Sequence, residues 1–395
     1  MPNPEIAAHA GAPALYVDSA AALADLCDEI APSPWIALDT EFMREKTYRP
    51  QLCLLQLATA DRIACVDPLA VPDLSPLLDL LQDPSRLKVV HAARQDMEIF
   101  YLLRGEVPGP IFDTQLAATL LGHGDQVGYA PLVRSVLGVE LDKNQTRTDW
   151  AQRPLDAAQL SYAADDVRYL ARMYPILRDR LEALGRLEWL RDDFEALTDA
   201  KTYSVDPARA WLRISGNQKL KDRQLAVLQR LAAWRELRAQ EVNRPRRWVL
   251  GDQILLDLAR LMPTDSAKLG RIRGLETGII NRHGAELLGL IEEAKSLPPE
   301  QWPVRPVHLQ LSPEQEALVD ALMAVLRLQS AELGISTSML ATRKDLERLA
   351  LGEDSDLALL RGWRREAAGQ RLLAFIDGRL SLRSAAGRLA LGPGQ

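Results

Sequence analysis

The chain has 395 residues, 47% hydrophobic and 26% charged, too long for one usual core and too apolar for disorder or a collagen-like repeat. No apolar run approaches the roughly 20 residues that span a bilayer. The start, MPNPEIAAHAG, lacks the basic and apolar regions of a secretory signal, and Cys27, Cys53 and Cys65 make neither a CxxC pair nor a disulfide framework, so a soluble protein of the reducing cytoplasm is expected, with no membrane partner.

In chain order, Trp35–Leu38 reads as a short strand ending in Asp39 and Glu41. The runs Leu52–Ala58 and Arg62–Val66 follow, the second closed by the turn pair Asp67-Pro68. Connections this short exclude crossover helices, so the three runs predict an antiparallel meander. Leu74, Leu77, Leu78, Leu80 and Leu81 predict a helix, Lys88–His91 a strand, and Asp96–Leu103 a helix after it. Helices are then expected at roughly Asp113–Leu121, with Asp113 as a structural cap, Tyr129–Leu137 and Leu155–Leu184. Strands followed by a strand–helix alternation predict an α/β domain, a mixed sheet flanked by helices.

The second half reads as all-helical. Leu225, Leu228, Leu231 and Trp234 form one stripe of an amphipathic helix, and Ile254–Leu261 and Glu286–Ile291 predict others. Ser296–Leu311 holds Pro298, Pro299, Pro303 and Pro306 and reads as a linker. Beyond it the pattern repeats at an offset of 90 residues: Asp252 precedes Ile254-Leu255-Leu256 as Thr342 precedes Lys344-Asp345-Leu346, both read as helix N-caps. The expected organisation is an α/β domain over 1–200, a helical module over 208–295, a linker over 296–311 and a second helical module over 312–390. The net charge of −6 conceals a split along these lines. Residues 1–200 carry 18 Lys+Arg against 31 Asp+Glu, and the rest carry 30 against 23. Lys219–Arg247 is the most basic stretch, including Arg246 and Arg247, and is either a phosphate-attracting surface or a solvated helix face.

Four carboxylates stand out. Asp39 and Glu41, two apart on a strand, share one face and can reach a common cation. Tyr162 and Asp166, four apart in SYAADDVRYL, share a helix face, while Asp165 lies about 100° around it and is expected in solvent. Asp96 falls in the first turn of its helix, where it also suits the helix dipole. His91 ends an apolar strand with no second histidine nearby and reads as structural. Hard divalent cations take oxygen ligands, and a pair of them can stabilise the attacking and leaving oxygens of a phosphodiester displacement. Asp39, Glu41, Asp96, Asp166 and Tyr162 make up the set such a site needs. The sequence has no GxSxG, HExxH or GxxxxGK[ST] motif that would offer another chemistry.

The blocks LDTEF, HAARQD and YAADD, in this order, resemble the DEDD superfamily of 3′→5′ exonucleases. Ser161 stands where the histidine subtype would carry its histidine, so the resemblance is to the tyrosine subtype. Supporting it are Phe112-Asp113-Thr114-Gln115, the run Lys143–Trp150 and Arg153-Pro154-Leu155. Downstream, AWLRISG, LAAWRELRAQEVNRPRRWVLGD and LLRGWRREAAGQRL resemble a tandem pair of HRDC helical modules. The resemblance covers nearly the whole chain. It implies a ribonuclease H-like α/β domain followed by two small all-α modules, and two Mg²⁺ or Mn²⁺ ions held by Asp39, Glu41, Asp96 and Asp166. It also implies release of nucleoside 5′-monophosphates from single-stranded RNA 3′ ends, chiefly in tRNA maturation, with no obligatory protein partner. A phenol of ordinary pKa about 10 is a poor base at neutral pH, so Tyr162 would orient water. Lys143, Gln145, Arg246 and Arg247 would meet substrate phosphates. Two other readings stay open at this point: a DNA-directed exonuclease of the same superfamily, and a non-catalytic RNA-binding protein.

Overall fold

The computed structural model describes residues 13–141, 148–305, 311–353 and 355–394. The chain divides into two units, one formed by Met1–Glu41, Cys53–Thr202 and His308–Gln395, the other by Phe42–Leu52 and Tyr203–Val307.

The first unit is built on strands β1 (Leu15–Val17), β2 (Trp35–Met43), β3 (Gln51–Ala58), β4 (Ile63–Val66), β5 (Leu87–Val90) and β6 (Ile111–Asp113), in the sheet order β1-β4-β3-β2-β5-β6. The expected meander is the centre of this sheet: β3 and β4 are antiparallel, with Leu55 opposite Val66 and Gln56 opposite Cys65. Parallel pairs flank it, β1 on β4, β5 on β2 and β6 on β5. Ile36, Leu38, Leu54, Leu55, Val66, Val89 and Val90 are buried, the near-continuous apolar content of strands covered on both faces. Lys88 interrupts the pattern yet is fully buried, because its Nζ donates to the carbonyls of Asp83, Arg86 and Gly109.

The helices around this sheet are α1 (Ala20–Ile30), α2 (Ser75–Gln82), α3 (Arg94–Arg104), α4 (Thr114–Thr119), α5 (Tyr129–Leu137), α6 (Ala157–Ala183) and α7 (Arg191–Thr198). The 27-residue α6 starts at a capping box, Asp156 with Gln159, and packs against β4, β5, α4 and α5. Strand β1, helix α1 and the three-residue β6 were not expected from the sequence.

The C-terminal part of this unit contains helices Pro313–Leu333, Thr337–Leu340, Arg343–Ala350 and Gln370–Ile376. A two-stranded antiparallel hairpin, Leu380–Ala385 with Arg388–Pro393, follows them, so the expected all-α reading of 312–390 is corrected at its end. Its turn needs two successive positive φ angles, 51° at Ala386 and 74° at Gly387. The segment is docked on the α/β part. The rings of Trp189 and Trp363 stack at 4.5 Å and 6°, and Arg364 Nη2 reaches both carboxylate oxygens of Asp193 at 3.0 and 2.7 Å. Arg186 donates to the carbonyls of Leu120 and Leu333, both at 2.7 Å.

The second unit holds helices Asp222–Glu241, Arg246–Val249, Asp252–Leu261, Ser266–Leu269 and Thr277–Lys295. The expected stripe of Leu225, Leu228, Leu231 and Trp234 is its core, packed with Leu255, Leu258, Leu287 and Ile291. The N-cap at its third helix is Gly251, one residue before the expected Asp252, whose carboxylate instead accepts from buried Arg235 at 2.6 Å. The box of Thr342 with Asp345 is present as read. The structural repeat accordingly has an offset of 91: helix starts Asp222, Arg246 and Asp252 correspond to Pro313, Thr337 and Arg343. The first part of the proline-rich stretch packs on this unit rather than linking freely. Trp302 donates to Leu297 O at 3.1 Å and lies under Arg223.

Candidate active site

Asp39 and Glu41 lie near the end of β2, held by the burial of Ile36 to Leu38 before them. Asp166 comes from α6, and single carboxylate oxygens of Asp39, Glu41 and Asp166 lie within 4.8 Å of one another. Asp96 is in the first turn of α3, outside that group of three but close enough to raise the pKa of both Asp39 and Glu41. Tyr162 stands one turn before Asp166 on α6, under the charge of Asp166, Glu41 and Asp39. Strand alternation and the helical i,i+4 spacing thus bring together, as expected, residues 127 positions apart in the chain (Asp39 to Asp166).

Four acids this close repel one another in a poorly hydrated setting. Burial, reinforced by Asp166 and Asp96, pushes the Glu41 carboxyl up to about 8. Burial holds Asp96 at about 7, against a hydrogen bond from Thr40 that favours its ionised form. Asp166 is raised to about 7 by burial and by Asp165, and Asp39 is raised by burial, then by Asp96, Asp166 and Glu41. A cation among them would relieve each of these penalties. The donors are all oxygens, which fits a hard divalent ion. Burial and the same acids push the Tyr162 phenol above its ordinary value, so it is a neutral hydrogen-bonding group at physiological pH.

Other side chains hold these groups in position, and the sequence did not single them out for it. Thr40 Oγ1, between the two strand acids, donates to Asp96 Oδ1. Tyr129 Oη donates to the backbone carbonyls of Asp165 and Asp166, fixing the turn of α6 that carries Asp166. The ring of Trp150 lies 6.2 Å from that of Tyr162. The segment carrying Trp150 is clamped by Arg153, whose Nε and Nη2 meet Asp67 at 2.6 and 2.7 Å, while Nη1 reaches Trp150 O. Asp165 is half-exposed and paired with Arg168 at 2.9 Å. His91 is structural, as expected: Nδ1 lies 3.0 Å from Thr114 Oγ1 and the ring meets Tyr129 edge-on. Asp113 caps α4 through Gln115 N and Leu116 N and also accepts from Ala92 N and Ala93 N, which lead into α3.

Of the four residues expected to meet substrate, Lys143 and Gln145 lie outside the described residues. Arg246 is committed elsewhere, with Nε and Nη2 on Glu236 at 2.5 and 2.7 Å and Nη2 on Tyr48 Oη at 3.0 Å. The Nε and Nη2 groups of Arg246 thus serve a structural ion pair. Arg247 is 81% exposed, with only a 3.7 Å approach to Asp252.

A family model for 3′-5′ exonucleases matches residues 15–182, and one for the HRDC domain matches residues 224–291. Ribonuclease D of Granulibacter bethesdensis is 43% identical over 363 residues, 91% of this chain and 92% of that one. Ribonuclease D of Sphingobium indicum is 42% identical over 373 residues, 93% and 96% of the two chains. The chain belongs to the ribonuclease D family. The crystal structure of Escherichia coli RNase D, described as an exoribonuclease involved in structured RNA processing, is similar over 93% of this chain and 99% of that chain, with TM-score 0.82 and 36% identity. Like its family, the chain is a metal-dependent 3′→5′ exoribonuclease. This selects one of the three readings left open by the sequence. The ribonuclease D fold accounts for the mixed sheet and the helical HRDC domain after it. No helix among the described residues is long and apolar enough to cross a membrane.

Proposed function

We propose that Asp39, Glu41, Asp96 and Asp166 hold two divalent ions, Mg²⁺ or Mn²⁺, and that Tyr162 orients the attacking water at the 3′-terminal phosphodiester of an RNA. The observation carrying this reading is the convergence of the Asp39, Glu41 and Asp166 oxygens within 4.8 Å, with Tyr162 one turn from Asp166. When bound, the ions would supply charge neutralisation at the phosphate and an acidified water. The chain's own residues do the rest. Tyr162 donates or accepts one hydrogen bond at the water without ionising, and Thr40 and Tyr129 keep Asp96 and Asp166 in place. The product is a nucleoside 5′-monophosphate, and the RNA shortens by one residue per cycle.

The substrate class is RNA with an accessible single-stranded 3′ end, tRNA precursors among them, processed in the cytoplasm without an obligatory protein partner. Three buried thiols, Cys27, Cys53 and Cys65, suit that reducing compartment. The domains are an exonuclease domain over 1–200, an HRDC domain over 208–295 and an HRDC-like module over 312–390 after the proline-rich 296–311. The matching helix starts at an offset of 91 support the tandem reading. Arg247, beside exposed Trp248 with Arg244 over its ring at 5.7 Å, supplies backbone contact and a stacking face, and Lys143 and Gln145 contact the substrate near the site.

The test is incubation of the purified chain with a single-stranded RNA and, in parallel, its deoxy counterpart, in Mg²⁺ or Mn²⁺ with and without EDTA. EDTA-sensitive release of 5′-mononucleotides from the RNA, lost in Asp39→Ala, is expected. RNA binding without release in either metal, or full activity in Asp39→Ala, would overturn the assignment, and preferential release from the deoxy strand would overturn the substrate.

A further inference from the structure

We propose that Arg186 is a positioning residue for cleavage: it joins the C-terminal helical segment to the loop that seats Tyr129, and through Tyr129 to the turn of α6 that carries Asp166. The proposal rests on the reading that Asp166 is a metal ligand. Arg186, that loop, α6 and the C-terminal segment all belong to one compact unit of the chain.

The loop is the link least able to hold itself. Residues 120–128 join α4 to α5 without helix or strand. The backbone is left-handed at Gly122, Gly124 and Gln126, with φ of 81°, 91° and 47°. A left-handed glutamine is unfavourable and persists only where its surroundings hold it. On the α/β side the loop is tied by Gln115 Nε2 to Val127 O at 3.0 Å, and His123 Nδ1 meets Ser135 Oγ at 3.0 Å. Further ties come from the C-terminal segment. Ser336 N donates to Thr119 O at 3.2 Å and Ser338 Oγ to Asp125 Oδ1 at 2.6 Å. Gly122 lies so close to this segment that an added Cβ would stand 3.0 Å from Gly334 O.

Arg186 closes the joint with charge. Its Nη1 donates to Leu120 O, at the C-cap of α4, and its Nη2 to Leu333 O, at the last residue of the helix Pro313–Leu333, both at 2.7 Å. Helix-end carbonyls lack a partner within their helix and carry the negative end of its dipole, so one planar guanidinium serves two helices. The Trp189 ring, 5.5 Å from the guanidinium and stacked on Trp363, keeps the fork in place. From the loop the chain enters α5 at Tyr129, whose hydroxyl donates to Asp166 O and lies 2.9 Å from Asp165 O. In an α-helix these carbonyls also accept the N–H groups four residues on, of Tyr169 and Leu170, so the phenol adds a hold from outside the helix. That hold matters because Pro175, further along α6, has no N–H to give to Ala171 O and weakens the helix there. Loss of Arg186 lets the loop shift and Tyr129 with it, which loosens the Asp166 turn without removing a ligand.

The test is amide hydrogen exchange of the metal-free full chain, read by mass spectrometry on peptides that hold the Tyr169 and Leu170 amides. Wild type is compared with Tyr129→Phe, Arg186→Ala and the double variant. Each single variant is expected to speed that exchange about fivefold, within the range for coupled positions, with the β4 amides unchanged. The double variant should exchange no faster than Tyr129→Phe, because Arg186 acts through that hydroxyl. Calorimetry should show Mn²⁺ binding weakened by a similar factor in both single variants, with KM for a short RNA unchanged. Unchanged exchange in a folded Arg186→Ala overturns the proposal, as do multiplied effects in the double variant or equal speeding of the β4 amides. A raised KM with normal exchange also overturns it, since the C-terminal segment would then serve RNA contact alone. Ser338→Ala removes one exposed bond of the same joint; it should speed the exchange about twofold and serves if Arg186→Ala does not fold. Asp166→Asn tests the reading beneath: normal Mn²⁺ binding there removes Asp166 from the ligands, whereas the exchange result stands or falls by itself.

Discussion

Asp113 offers a direct check on how the fold positions the site, because one carboxylate closes two helix starts. It accepts from Gln115 N at 2.8 Å and Leu116 N at 3.4 Å at the head of α4. It also accepts from Ala92 N at 3.1 Å and Ala93 N at 2.9 Å, in the turn that opens α3. Replacing an N-cap aspartate by alanine costs about 1 kcal/mol. The Ala93 N–H is buried, and leaving it without an acceptor adds about 2 kcal/mol. Ala92 sits at φ 56°, a left-handed conformation costing about 1 kcal/mol that the Asp113 bond helps hold. Asp113→Ala should therefore lose about 3 kcal/mol at most, less whatever strain Ala92 sheds, in urea unfolding followed by far-UV circular dichroism. Asp113→Asn keeps one acceptor and should lose about half as much. Because the freed turn carries α3, Asp96 moves with it, and Asp113→Ala should also require more divalent ion for half-maximal activity. A loss under about 1 kcal/mol for Asp113→Ala, or equal losses for the two variants, would refute this account of the turn.

Three further outcomes follow from the same geometry. With Glu41 at about 8 and Asp96 and Asp166 at about 7, the metal-free fold binds protons that the unfolded chain, with carboxyls near 4, has released, so its stability falls as pH rises from about 4 to about 8. Bound Mg²⁺ replaces those protons, so the rise in melting temperature on adding Mg²⁺ should be larger at pH 8.5 than at pH 6; equal rises would contradict it. Tyr162→Phe should lower kcat by about a hundredfold with KM and Mn²⁺ affinity near wild type, and a matching loss of Mn²⁺ affinity would mean that Tyr162 acts on the ions instead. Trp363→Ala removes the stack on Trp189 and should cost about 3 kcal/mol, read as cleavage by trypsin within 311–394 while the α/β part stays intact; an unchanged digestion pattern would show that Arg364 and Arg186 suffice to hold the segment.

The catalytic side chains were legible because each lies in an element whose period is plain. LDTEF ends an apolar strand, so alternation alone pairs Asp39 with Glu41, and the helical spacing of Tyr162 and Asp166 does the same on α6. Groups that act across the fold left no such trace. Thr40 bonds Asp96 and Tyr129 bonds the carbonyls of α6 only because distant elements meet, and nothing local to either residue announces it. Arg246 has an ion pair that its place in the sequence does not announce. It was read as surface charge in a basic run, but Glu236 within the same run is buried and requires a partner. The hairpin at Leu380–Pro393 went unread because its alternation, Leu380-Ser381-Leu382-Arg383, runs for only a few residues at the end of a helical stretch. The offset of the helical repeat was misread by one residue because Asp252 resembles a cap, while Gly251 occupies that position and leaves Asp252 to pair with Arg235.

The central claim is that the four acids hold the ions that serve cleavage beside Tyr162. The most direct measurement is anomalous diffraction at the manganese edge from crystals of the chain soaked with Mn²⁺ and a non-hydrolysable RNA 3′ end. The account predicts two manganese peaks bonded to oxygens of Asp39, Glu41, Asp96 and Asp166, with the terminal phosphodiester at the ions and Tyr162 Oη facing it. Manganese bound away from these residues, in crystals of a protein that still degrades RNA, would contradict it.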